Sequence, residues 1–272
     1  MSKKKKHIPL PCLPPGVSLV DTHCHLDMME NGEDPADIIE RAFAAGVTRA
    51  VTIGIDPASS RKAVELADRL EHVYAAVGIH PHHAEQLSLQ AEKELQRLAG
   101  GSRVIAFGEI GIDTVKDYAP LDVQQRAFTR QLEMARELDL PVIVHNREAH
   151  EEIYQRLKKS GPFPRGGVIH CFSGDGEIAR KFIDLGFYIS IPGVVTFNRA
   201  DMLHDAVRSI PLDFMLVETD APFLAPVPYR GKINEPLFTL YTAQKIAELK
   251  GLDLAEVARV TTANARRLFN IS

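Results

Sequence analysis

A chain of 272 residues, 45% of them hydrophobic and with a formal net charge of −4, can bury a full core as one α/β barrel or as two smaller domains. Its mild acidity leaves no general electrostatic footprint for nucleic acid, so a polyanionic substrate would have to be held by a local patch or by metal ions. No run of about 18 apolar residues is present, which excludes a membrane-spanning helix, and no apolar segment follows the early lysines, so no secretory leader is expected.

The chain opens on a basic run, Lys3-Lys-Lys-Lys6, which can meet nucleic acid or a membrane surface or remain a solvated tail. Pro9-Leu-Pro-Cys-Leu-Pro-Pro15 is expected to be extended and non-helical. Residues 1–16 are read as an extended or disordered tail and residues 17–272 as one folded domain. From residue 17 onward, short apolar runs alternate with longer segments of helical period, the pattern of repeated βα units and a parallel sheet. The spacing predicts strands over 18–21, 50–53, 74–77, 104–107, 141–144, 167–169, 187–191 and 214–217. Amphipathic helices are predicted between them, clearest over 35–45, 61–70, 122–138, 177–185 and 236–249. Within 122–138, Phe128, Leu132, Ala135 and Leu138 recur at three- and four-residue steps and form one buried stripe. A last helix over 254–269 carries Val257, Val260, Ala263 and Leu268 and is expected to pack over the outside of the domain.

His23-Cys-His25 stands where the first apolar run ends. Side chains alternate along a strand, so both imidazoles share one side and one metal ion can reach them. Four more potential ligands follow apolar runs in the same way: Glu109, His145, His170 and Asp220. Taken singly, a buried His or Asp at a strand end is more often a satisfied structural group; the recurrence points to a metal site. It also bears on the fold. An open doubly wound sheet would gather ligands at one crevice, whereas only a closed barrel makes the first and eighth strands neighbours and turns all the exits toward one bowl. The expected architecture is a single-domain (β/α)8 TIM-type barrel with an extra C-terminal helix. Cys12, Cys24 and Cys171 are odd in number and lack CxxC spacing, as in reduced thiols of a cytoplasmic protein. Cys24 and Cys171 are read as packing residues that point away from the ligand face.

Imidazole and carboxylate donors suit zinc and transition metals better than Ca²⁺ or Mg²⁺. Six ligands exceed what one open catalytic zinc takes, so two divalent ions per subunit (Zn, Mn or Mg) are expected. Glu109 would bridge them, with His23, His25 and Asp220 on one ion and His145 and His170 on the other. Such a pair activates water, and Asp220 can serve as the general base.

The same residues carry a family resemblance. His23-Cys-His25, Gly78-Ile-His-Pro-His82, Gly108-Glu-Ile-Gly-Ile-Asp113, His145-Asn-Arg-Glu-Ala149, His170-Cys-Phe-Ser-Gly174 and Glu218-Thr-Asp-Ala-Pro222 resemble, in order and separation, the TatD-type metal-dependent deoxyribonucleases. The resemblance implies a TIM-type barrel of the amidohydrolase-like superfamily and metal-dependent hydrolysis of DNA, often by trimming ends. It also implies that the six ligands carry over as His23, His25, Glu109, His145, His170 and Asp220.

Three groups are candidate substrate contacts. His80 and His82, stiffened by Pro81, can touch a phosphate or be structural. Arg147 can fork onto a phosphate or pair with Glu148 or Glu151. Arg230-Gly-Lys-Ile-Asn-Glu-Pro236 places Arg230 and Lys232 beyond Asp220, resembling a family pattern in which a basic residue is common where this chain has Ile233. Thr114 likewise stands where the family often has Tyr. The expected partner is DNA, with neither a membrane nor an obligate protein partner implied. The rival reading is a small-molecule amidohydrolase acting on an amide, ester or lactone through the same metals. The three cations favour the phosphodiesterase; the lack of Trp favours the rival, although Phe172, Phe197, Phe223 and Tyr229 can offer a stacking surface. A noncatalytic binding barrel would need ligands to be lost, and none is.

Overall fold

The computed structural model of the protein describes residues 9–29 and 32–272; the Lys3-Lys-Lys-Lys6 run lies outside the described residues. Residues 9–18 carry no helix or strand. Eight strands then form one parallel sheet in chain order: β1 (Leu19–Cys24), β2 (Val47–Ile53), β3 (Val73–Val77), β4 (Val104–Asp113), β5 (Val142–Arg147), β6 (Gly167–Ile169), β7 (Phe187–Ile191) and β8 (Met215–Val217). Each strand pairs in parallel with the next. A further parallel bridge between Cys24 and Ala221, and a hydrogen bond from Thr22 Oγ1 to Val217 O (2.9 Å), bring the exit of β8 onto β1. The sheet closes into a (β/α)8 barrel.

The helices are α1 (Pro35–Ala44), α2 (Pro57–Arg69), α3 (Leu89–Ala99), α4 (Leu121–Glu137), α5 (His150–Ser160), α6 (Gly176–Asp184), α7 (Asp201–Ser209), α8 (Thr239–Lys250) and α9 (Leu254–Phe269). Every strand is followed by one, including α3, α5 and α7, whose weaker patterns did not stand out in the sequence. Capping sets the starts. Asp56 and Ser59 form a reciprocal capping box ahead of Pro57, so α2 begins before the periodic signal at residue 61. Pro236–Phe238 is a 3₁₀ turn, and α8 proper starts at Thr239.

Two layers of core result. The outer layer joins the outward strand residues, such as Leu19, Ala75, Phe107 and Val144, to the buried helix faces, with Phe128, Leu132 and Ala135 of α4 among them. The inner layer joins Val20, Val51, Ile105, Ile143, Val168 and Leu216 to Ala265, Leu268, Phe269 and Ile271 at the end of α9. Thr262 Oγ1 donates to Ser18 O, and Asn264 Nδ2 to Leu212 O and Met215 O, all at the starts of strands. The end of α9 therefore seals the N-terminal mouth of the barrel. This corrects the expectation that the helix lies wholly on the outside: only its first half, with Val257 and Ala258, packs in the outer layer, and Ala263 faces solvent.

Several strands outrun their apolar signal. β4 continues through Gly108-Glu-Ile-Gly-Ile-Asp113 because the two glycines let β5 approach. A Cβ at Gly108 would lie 2.7 Å from Ile143 Cβ, and one at Gly111 would fall on the His145 carbonyl. Consequently His23, Glu109 and His145 lie within strands, while His25, His170 and Asp220 lie just past them.

Candidate metal centre

The six predicted ligands converge at the C-terminal mouth. His23 and His25 are buried, with their Nε2 atoms 3.3 Å apart. Asp220, at positive φ (58°) and partly open to the bowl, places Oδ1 3.5 Å from His25 Nε2 and 3.8 Å from His23 Nε2. Opposite stands the buried Glu109, whose two oxygens divide the site. Oε2 lies 3.4 Å from His23 Nε2 and 4.0 Å from His25 Nε2. Oε1 lies 2.6 Å from His145 Nδ1 and 2.7 Å from His170 Nε2. His170 also stacks on His23, with ring centroids 3.8 Å apart, so the two groups of ligands pack directly against each other.

The donor set fits a metal by its own chemistry. Ligand atoms of His23, His25 and Asp220, and of His23, Glu109 and His170, cluster closely enough to hold an ion. For His25, His145 and His170 the outward ring atom faces an acceptor that leaves the inward atom available, as ligating histidines require, whereas His23 Nδ1 is buried without a hydrogen-bond partner. His25 Nδ1 donates to Ile53 O (3.2 Å). His145 Nε2 lies 3.3 Å from Asp113 Oδ2. His170 Nδ1 lies 3.4 Å from Glu218 Oε1, which itself accepts the Cys171 N–H.

Charge is arranged accordingly. Burial opposes ionisation of Glu109, yet the surrounding His170 and His80 and the hydrogen bonds of His145 and His170 hold it well below the usual carboxylate range. Burial likewise disfavours protonated His170, but Glu109 and Glu218 outweigh it and hold the ring well above its ordinary value. Asp220 is desolvated too, and His25 and His23 keep it below its ordinary value.

His80 groups geometrically with Glu109 and His145, but its Nδ1 accepts the His82 N–H (3.0 Å). The neutral ring then carries its proton on Nε2, which faces Glu109 Oε1 at 3.5 Å. It offers a hydrogen rather than a lone pair, which suits a substrate contact better than a ligand. His82 Nε2 is held by Asp113 Oδ2 (2.8 Å). Arg147 is exposed at the end of β5. Glu151 pairs instead with Lys181 (3.2 Å), and among the described residues Arg147 has no acidic partner. Arg230 and Lys232 are exposed, the Arg230 guanidinium lying 4.6 Å over the Phe197 ring.

Three of the four aromatic candidates are committed elsewhere. Phe172 is buried, Phe197 is covered by Arg230, and Tyr229 stacks on Phe238. Phe223 alone of the four stands open. Cys24 packs in the outer core and donates to Val51 O, as expected of a packing residue.

Sequence reasoning assigned no role to four residues that build the site. Asp113 and Glu218 orient two of the imidazoles, although both fall within quoted motifs. Asp21, fully buried, accepts hydrogen bonds from His23 N, Thr219 N and Thr219 Oγ1. Asn234 donates to Thr219 O (2.8 Å) and Phe223 O (2.6 Å), fixing the loop that carries Asp220.

Residues 20–270 match the family model described as TatD related DNase. A Bacillus subtilis protein named "Uncharacterized metal-dependent hydrolase YabD" is 41% identical over 254 residues, covering 93% of this chain and all of that protein. The Escherichia fergusonii protein named "3'-5' ssDNA/RNA exonuclease TatD" is 35% identical over 259 residues, again with 93% of this chain and all of the relative covered. The crystal structure of YJJV, a TatD homolog from Escherichia coli, superposes with a TM-score of 0.89 at 33% identity, over 93% of this chain and 98% of that one.

Proposed function

The chain belongs to the TatD related DNase family, and on that premise we propose that it is a metal-dependent hydrolase that cleaves phosphodiester bonds of DNA, trimming from strand ends. The observation that carries this reading is the division of labour at Glu109, whose Oε1 faces His145 and His170 while Oε2 faces His23 and His25. Two divalent ions sharing that carboxylate would be held by His23, His25 and Asp220 on one side and by His145 and His170 on the other. When bound, such ions supply Lewis acidity toward phosphate oxygens and lower the pKa of water.

The chain's own residues supply the rest. Asp220, kept ionised by His25 and His23 and partly open to the bowl, accepts the proton of the attacking water. His80, whose Nε2–H faces Glu109 Oε1, and His82, anchored on Asp113, line the side of the site where a phosphate would enter. Arg147, at the end of β5, and Arg230 and Lys232, in the loop after β8, are exposed and would neutralise the backbone phosphates. The three cysteines are free thiols, in keeping with action in the cytoplasm.

The test is hydrolysis of oligonucleotides labelled at the 3′ or the 5′ end by metal-loaded protein, beside a panel of small esters, amides and lactones. Stepwise shortening of one labelled set supports the reading. Turnover of a small ester or amide with every oligonucleotide left intact would replace it by an amidohydrolase.

A further inference from the structure

Two exposed aromatic rings flank the ligand cluster, and the chemistry above uses neither. Phe223, in the loop after β8, is 50% exposed, and its ring centroid lies 6.1 Å from that of His25. Tyr118, in the loop after β4, is 64% exposed and lies 4.7 Å from the His82 ring. Between them a series of neighbouring imidazoles crosses the floor of the bowl: His82, His80, His145, His170, His23 and His25. The two rings thus stand at opposite ends of the catalytic floor.

Both are presented by segments tied to the metal centre. Phe223 N donates to Asp220 O (2.8 Å), and Phe223 O accepts from Asn234 Nδ2. The turn before Tyr118 is held by Asp113 Oδ1, which accepts the N–H groups of Val115 (2.8 Å) and Lys116 (2.9 Å). Asp113 is the residue that orients His82 and His145 through its other oxygen. Each ring meets a histidine and leaves half or more of its own surface exposed. A bound molecule with flat apolar faces that reaches across the bowl would bury that surface.

We propose that Phe223 and Tyr118 are stacking faces for unpaired bases on either side of the phosphate held at the centre. Such stacking requires unpaired bases, as in the single-stranded substrates that the name of the Escherichia fergusonii relative gives. An unpaired base can lay its π-face on a ring, whereas a base stacked within a duplex cannot. The cations fit the same strand: Arg230 and Lys232 share the loop of Phe223, and Arg147 ends β5 beside the loop of Tyr118. This inference rests on the phosphodiesterase reading and assigns two further substrate contacts to that site.

The test compares metal-loaded protein on a single-stranded oligonucleotide and on the same strand with abasic sites at its two terminal nucleotides. The parent should favour the base-bearing strand in kcat/KM by about 30-fold or more, the lower bound set by stacking two bases on aromatic rings at about 1 kcal/mol each. Phe223→Ala and Tyr118→Ala should each shrink that preference, and the double variant should bring it near one. Phe223→Tyr and Tyr118→Phe, which keep a ring, should preserve it. A terminal 2-aminopurine should lose fluorescence on binding the parent and keep it with the double alanine variant. Cleavage with equal preference in parent and alanine variants overturns the stacking roles while leaving the nuclease reading intact. If the parent cleaves no oligonucleotide the nuclease reading falls, and the aminopurine signal then decides separately whether the rings hold bases.

Discussion

His145 Nε2 lies 3.3 Å from Asp113 Oδ2, on the opposite edge of the ring from the Glu109 contact. Asp113 is itself fixed, because its Oδ1 accepts from Val115 N and Lys116 N and its backbone N–H donates to Gln124 Oε1. The imidazole is therefore oriented from outside before any ion arrives. Asp113→Asn should weaken divalent-metal affinity by about 10- to 100-fold, the usual cost of losing such a partner, while the fold survives. Calorimetric titration of metal-free protein with Zn²⁺ or Mn²⁺ checks this. Unchanged affinity would mean that Glu109 alone sets the ring.

Glu109→Ala should remove both the shared carboxylate and the negative charge among the surrounding imidazoles. Elemental analysis of reconstituted parent should approach two divalent ions per chain. The variant should hold less than half of that and have no measurable turnover. A variant that keeps two ions and near-normal rate would show that the carboxylate bridges nothing.

Asp220→Asn separates proton transfer from binding. The amide oxygen can still coordinate weakly beside His23 and His25 but cannot take a proton. The rate should fall by about 10²-fold or more, the scale of general-base catalysis, with most of the metal retained. A pH–rate profile of unaltered height and shape would remove Asp220 from that role.

The clustering of the six candidate ligands was legible because each stands at the end of an apolar run, and closure of the barrel followed from their spread between the first and last strands. Their supports were not. Asp113, Glu218 and Asn234 act through neighbours distant in sequence, such as Asn234 on Thr219 O, and no local pattern distinguishes such residues from surface polar ones. The true length of β4 was hidden by Gly108 and Gly111, which break the apolar signal while permitting the close approach of β5. The placement of α9 was misread because Leu268 and Phe269 at its C-terminal end, with Ile271 just beyond it, plug the barrel mouth. Tyr118 passed unnoticed because a single tyrosine in a loop has no periodic context; only its contact with His82 singles it out.

Arg230 and Lys232 tie the exposed loop after β8 to substrate charge. Neither is a candidate ligand, and both are exposed. Each phosphate neutralised on a single strand contributes about 0.7 to the slope of log affinity against log salt. Replacing both by Ala should therefore flatten that slope by about 1.4 and raise the half-saturating oligonucleotide concentration at low salt, with metal content at the parent's level. The Arg230 guanidinium also covers Phe197, so Arg230→Lys serves as a control that keeps the charge but loses the planar contact. If the charge is what matters, Arg230→Lys with Lys232 intact should hold the parent's salt slope. Parent-like salt dependence in the double alanine variant would exclude this loop as the phosphate clamp and leave Arg147 as the rim cation to test next.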